Sequence, residues 1–330
     1  MRLPAPLSFA CCLVLAACAS TPVANPEPAK VVRLSTDEWS STTLSGAHRL
    51  AALWLEPGGA KLWAAGQGAV VSWDRDTPPE ITEIKGAFSA LWGSSATDLW
   101  AVGSDGSLAH FDGKAWSVPP ESASGGETPS PLFAVWGAGP ADVWAAGEIV
   151  KRFDGKTWAT LPSPSARWVR GIWGSAANDV WLVASAAPLS EATGGEILHW
   201  NGKALTSALQ TPEPLQAVWG SSAKDVWVVG SAQTQDDAPA RSVLRHFDGS
   251  SWTEAASLAG VELLTVWGAG PRDVWSAGLG GQVMRFDGSA WAPVSAETKA
   301  DLAAGARSPT SAYLLSPSGE LFSRDPGNRP

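Results

Sequence analysis

Tryptophan recurs in this chain inside three fixed phrases, and that periodicity limits the fold more than any other feature. Residues 132–158 show all three: Ala-Val-Trp-Gly, then Asp-Val-Trp-Ala-Ala-Gly, then Arg-Phe-Asp-Gly-Lys-Thr-Trp. The first-phrase tryptophans are Trp54, Trp92, Trp136, Trp173, Trp219 and Trp267. The second-phrase set is Trp63, Trp100, Trp144, Trp181, Trp227 and Trp275, eight residues later in five copies and nine in the first. The third phrase ends at Trp116, Trp158, Trp252 or Trp291, with Leu205 substituting once. Trp73 and Trp200 mark weaker copies of its aromatic-Asp step, and only Trp39 and Trp168 of the 20 tryptophans stand outside these slots.

Each phrase reads as a strand, because short Val- and Trp-rich runs bounded by Gly, Ser and Asp clusters are the hairpin signal. Asp-Gly between the third and fourth strands suits a tight turn that needs a positive φ at glycine. The unit is four antiparallel strands in about 37 to 48 residues, the size of a propeller blade. Six copies run from Trp54 to Trp291, and a seventh begins near Leu302 with Tyr313 in a tryptophan slot and Phe322 in strand three. Its fourth strand is missing there. Trp39 precedes Trp54 by 15 residues, the same gap as Trp158 to Trp173 and Trp252 to Trp267. Residues near 36–44 are therefore expected to complete the last blade and close the ring, which removes two exposed edges. The expected fold is an all-β, seven-bladed β-propeller over residues 36–330 whose ring is closed by an N-terminal strand.

The N-terminus carries a different signal. Arg2 followed by an apolar run over residues 7–16 reads as a secretory signal, too short to span a bilayer. It ends Leu15-Ala16-Ala17-Cys18, which resembles the lipobox of bacterial lipoproteins. That resemblance implies cleavage after residue 17 and lipidation of Cys18. Cys11 and Cys12 would leave with the signal, so Cys18 would be the only cysteine left. Residues 18–35, with Pro22, Pro26 and Pro28, read as an extended tether. Ala19, by the same resemblance, suggests an outer-membrane address. The expected localisation is export with a lipid anchor.

The repeated Val-Trp-Gly, Asp-Val-Trp and Phe-Asp-Gly-x-x-Trp phrases are similar to those of bacterial propeller lipoproteins of the myxobacterial type, over residues 36–325. A looser resemblance is to the Asp-box of sialidase-like propellers, although here Asp and Gly are adjacent. The first resemblance implies the fold and leaves the ligand open.

Candidate chemistry is sparse. A formal net charge of −9 without a basic run argues against nucleic acid. There is no His-Glu-x-x-His, Gly-x-Ser-x-Gly or phosphate loop. His110, His199 and His246 share one repeat slot with Arg152 and Arg285, so they sit on separate blades and form no zinc set. The repeated Asp98, Asp142, Asp179, Asp225 and Asp273, and the turn residues Asp112, Asp154, Asp248 and Asp287, are expected to cap turn N–H groups. No metal and no cofactor is expected.

Loop length is the useful asymmetry. In a meander the strand 1–2 and 3–4 turns share one face, and here they are uniform. The opposite face holds every insertion, in residues 119–131, 185–196 and 231–242. Those loops carry Glu121, Glu127, Glu191, Glu196, Asp236, Asp237 and Arg241, a mostly acidic rim. Trp168 has no counterpart in other blades. Arg170 is the one charge among positions held elsewhere by Ala51, Ser89, Phe133, Gln216 and Leu264, and so is placed to hold an anionic group near the axis. The candidate ligand-binding residues are Trp168, Arg170, Glu191, Glu196, Asp236, Asp237 and Arg241; no catalytic residue stands out.

Two function classes follow. One is a non-enzymatic, monomeric binding or scaffolding propeller, anchored to the membrane by its lipid and presenting the long-loop face to an envelope protein or glycan. The other is a sialidase-like carbohydrate-active enzyme or lectin working at the channel mouth, which needs carboxylates and arginine to converge there.

Overall fold

The computed structural model describes residues 39–119, 129–186, 194–232, 240–308 and 310–324. Strand β1 (Ser40–Thr43) is followed by β2 (Leu50–Leu55), β3 (Leu62–Trp73), β4 (Glu80–Ser95), β5 (Asp98–Gly103), β6 (Leu108–Phe111) and β7 (Trp116–Ser117). Next come β8 (Leu132–Gly139), β9 (Asp142–Gly147), β10 (Val150–Phe153) and β11 (Trp158–Leu161). A third group is β12 (Trp168–Ala176), β13 (Asp179–Ser185), β14 (Gly195–Trp200) and β15 (Leu205–Thr211). A fourth is β16 (Leu215–Ser222), β17 (Asp225–Ala232), β18 (Arg241–Phe247) and β19 (Trp252–Ala259). The chain then forms β20 (Leu263–Gly270), β21 (Asp273–Gly278), β22 (Val283–Phe286) and β23 (Trp291–Pro293), and ends with β24 (Ala304–Arg307), β25 (Ala312–Leu315) and β26 (Glu320–Arg324).

These strands assemble into six antiparallel sheets, five of four strands and one of six in the order β2-β3-β4-β5-β6-β7. The expected count of seven four-stranded blades is thereby corrected to six. The reason lies in β3 and β4, which run unbroken through positions where the repeat places turns, at Gly68 (φ 77°) and Gly86 (φ 153°). Gln67 pairs with Ala87, and β4 pairs with β3 through one half and with β5 through the other, so the first two copies of the repeat share one sheet. That blade supplies two strands, β2 and β4, to the ring, where β4, β8, β12, β16, β20, β24 and β2 pack side by side in succession. The N-terminal closure is found: β1 pairs with β26, opposite Ser323 through Glu320, and completes the sheet β1-β26-β25-β24.

The register explains the phrases. First- and second-phrase tryptophans are direct cross-strand partners, for instance Trp92 with Trp100 and Trp136 with Trp144, so both project from the same face of the sheet. That face meets the following repeat. Trp100 packs against Phe153 (5.1 Å) and edge-on to Trp158 (5.2 Å), and Trp227 repeats this with Phe286 and Trp291. Trp39 meets Trp275 edge-on across the closure, at 6.2 Å and 84°. The hydrophobic core thus lies between neighbouring repeats, as in the cluster of Trp144, Val169, Leu182 and Leu198.

The glycine of Val-Trp-Gly has a steric cause. A Cβ on Gly137 would lie 2.4 Å from the Trp92 ring, and one on Gly174 2.6 Å from Trp136. The indole of one repeat occupies the space that a side chain would need on the next.

Candidate functional site

The residues that could meet a ligand are set up by β-bulges. The strands β2, β8, β12, β16 and β20 each skip a rung near the start, and β4 skips one midway where its pairing with β5 begins, leaving Ala51, Ser89, Phe133, Arg170, Gln216 and Leu264 out of the ladder. A bulge re-aims the extra residue and interrupts pairing. All six are half-exposed, although the residue before each is buried. On adjacent strands these residues touch, since the Arg170 guanidinium carbon lies 4.5 Å from the Phe133 ring centre and 5.8 Å from that of Trp168. Trp168 stacks on Phe133 at 5.7 Å and 24°. Arg170 has no ion pair among the described residues, and its Nε is sealed from solvent without a hydrogen-bond partner. Burial pushes the guanidinium below its ordinary value, the direction expected of a cation without a nearby carboxylate.

Beside this cluster lies a cleft of about 480 Å³, lined by residues 164–168, Ala186, Glu196 and Gln210. Its position follows from the topology. The start of β12, the end of β13, the start of β14 and the end of β15 lie along one edge of their sheet, the edge on the long-loop face. Glu196 is 6% exposed, sits second in β14 opposite Ala184 and Gln210, and has no hydrogen bond or ion pair among the described residues. Arg167 donates from Nη1 to the Gly194 carbonyl at 3.2 Å.

Of the residues expected from sequence, the structure therefore unites Trp168, Arg170 and Glu196. The expectation that Glu196 belongs to a loop insertion is corrected: β13 and β14 extend to Ser185 and Gly195, so Glu196 is a strand residue, 6% exposed. Arg241 is exposed at the start of β18, opposite Ala232 and Ala259, and does not line the cleft. Cys18, Glu191, Asp236 and Asp237 lie outside the described residues, as do Glu121 and Glu127. Sequence reasoning missed Arg167 and Gln210. Arg167 adjoins the singular Trp168, which was the available signal, whereas nothing local marks Gln210.

A second correction concerns the strand-two aspartates. Asp98, Asp179 and Asp225 accept from Nε2 of His110, His199 and His246, each at 2.7 Å, and Asp142 pairs with Arg152. Asp273 holds both Arg285 and Arg307. These carboxylates thus bridge strands instead of capping turns. The three imidazoles stack on Trp100, Trp181 and Trp227 at 4.0–4.3 Å between ring centres. Ser175 and Ser221 add a hydroxyl to Asp179 and Asp225 at 2.5 Å. Each chain runs Ser to Asp to His, so no histidine is placed to take a serine proton, and the motif is structural rather than nucleophilic. The turn aspartates do cap: Asp112 accepts from the backbone N–H groups of Lys114 and Ala115, both at 2.9 Å, and Asn201 does the same in its own turn.

No protein-family model matches the chain, and neither does any curated protein. Solved structures do match in fold. YCF48 bound to a D1 peptide aligns with a TM-score of 0.65 at 16% identity, over 92% of this chain and 99% of that one. YCF48 from Cyanidioschyzon merolae gives 0.64 at 16% identity, over 92% and 100% of the two chains. A catalytically inactive virginiamycin B lyase from Staphylococcus aureus, with quinupristin, gives 0.68 at 12% identity over 90% and 98%. With the topology above, these likenesses define the class: the chain is a β-propeller. At such identities they define the fold alone.

Proposed function

We propose that this chain is a non-enzymatic binding propeller that presents its long-loop face to a protein partner. The observation that carries the reading is the cleft on that face, where Trp168 and the carboxylate of the largely enclosed Glu196 line one concavity beside Arg170. A few polar groups placed on a partly apolar wall are the usual make-up of a recognition site. A propeller of similar fold binds a peptide in the YCF48 structure, which supports the same use of the scaffold here. The glycan-active alternative draws less support. Among the described residues Glu196 is the one carboxylate that lines the cleft, whereas glycosidic acid–base chemistry needs a facing pair.

In the same reading, residues 1–17 are a signal, Cys18 carries lipid, residues 18–35 are a tether and residues 36–330 form the propeller, held at a bacterial outer membrane. Crosslinked capture from native membranes tests the main proposal, comparing the intact chain with Trp168→Ala. A protein partner recovered with the intact chain and lost with the variant is the expected result. Equal recovery with both would overturn it.

A further inference from the structure

Glu196 is nearly enclosed as a residue, yet neither of its carboxylate oxygens is among the sealed side-chain atoms without a partner, so its charged end opens into the cleft. A buried carboxylate is costly unless something pairs with it, and the great majority of buried polar side chains have partners. Glu196 is 6% exposed with none among the described residues. Its counterpart shows how this fold treats a buried glutamate that has a structural task. Glu213, 2% exposed, receives Nε of Arg245 at 2.6 Å. Among the described residues no such cation reaches Glu196. Arg167 lines the same cleft, and its Nη1 is turned to the Gly194 carbonyl.

Resting on the reading above, we infer that the cleft is a pocket for a cationic group of a peptide partner, with Glu196 as the counter-charge. The cleft of about 480 Å³ has room for a single long side chain rather than a folded element. Trp168 supplies an apolar wall for the aliphatic stem, and the exposed Gln210 amide, opposite Glu196 in the β14–β15 ladder, is a second polar contact. A net charge of −9 draws basic partners from a distance, before any short-range contact forms. The ligand chemistry is an ammonium or guanidinium group, which a peptide can offer from lysine, from arginine or from its amino terminus.

Isothermal titration of the purified full chain with short synthetic peptides tests this. The probes are acetyl-Gly-Arg-Gly-amide, acetyl-Gly-Lys-Gly-amide, triglycine amide with a free amino terminus, and acetyl-Gly-citrulline-Gly-amide as the neutral match to arginine. At least one cationic probe should bind, and whichever binds identifies the source of the charge. Glu196→Gln should weaken that probe by about tenfold or more. Glu148→Gln, which removes an exposed carboxylate elsewhere, should leave it unchanged. If Glu196→Gln does not fold, the citrulline peptide makes the same comparison on the unaltered protein. Citrulline binding as well as arginine, an undiminished Glu196→Gln, or no binding by any cationic probe would each overturn the inference. Loss of a captured protein partner in Trp168→Ala together with silent peptides would retain the binding-propeller reading and remove only this pocket. Peptide binding without any captured partner would do the reverse.

Discussion

Trp144 is fully enclosed, with Arg152 over its ring and Trp200 of the next blade edge-on at 5.5 Å. Truncating it opens a cavity between two blades, so Trp144→Ala should cost about 3–5 kcal/mol in denaturant unfolding, and an unaltered unfolding curve would overturn its core role. The turn aspartates set an acid limit. Hydroxyls of Ser250 and Ser289, then backbone N–H groups, hold Asp248 and Asp287 at about 2 against an ordinary value of 3.8. A depressed folded-state pKa means stabilisation that is complete above the ordinary value and is lost as pH falls through it towards 2. The double variant Asp248→Asn, Asp287→Asn should therefore lose less melting temperature than the parent between about pH 5 and pH 2. Asn201 already caps its own turn in neutral form. These caps were readable from sequence because donor and acceptor lie within three residues. The strand-two aspartates were not, since their partners are 10–34 residues away on another strand.

Between elements, joints are made by indoles meeting glycines and by serines that cross from one blade to the next. Ser185 accepts from the Leu215 N–H and donates to its carbonyl, and Ser231 donates to the Leu263 carbonyl. Gly137→Ala puts a Cβ 2.4 Å from Trp92 and should destabilise by about 1–3 kcal/mol. Gly139→Ala, with nothing within 4 Å of its Cβ, should be close to neutral in the same melt. Equal losses would show that backbone freedom, not the wedge, sets the cost. The repeat made the strands and their hairpins legible, because each phrase carries its own turn chemistry. It did not reveal the bulges, which arise where a ladder rung is skipped on packing into the ring.

At the scale of the molecule, closure depends on β1, which is distant in sequence from the strand it covers. Deleting residues 40–43 uncovers the β26 edge and parts Trp39 from Trp275. That variant should melt lower and self-associate with concentration, since an exposed edge strand recruits another chain. A monomer with an unchanged melt would mean that the ring holds without the closing strand. Closure was legible in the matching 15-residue gaps. The number of sheets was not, because continuous pairing through β3 and β4 joins two repeats that the phrases keep distinct.

By itself the sequence determined the strand class, the repeating unit, the closing N-terminal strand and the face that carries the insertions. These are local or periodic properties, written into phrases that each fold alike. The tertiary structure decided how many sheets form, that Glu196 is enclosed with no partner among the described residues, and that Trp168, Arg170 and Phe133 meet on two neighbouring strands. Those outcomes depend on contacts between residues far apart in the chain, where burial and the ring's geometry, not local preference, fix which groups meet.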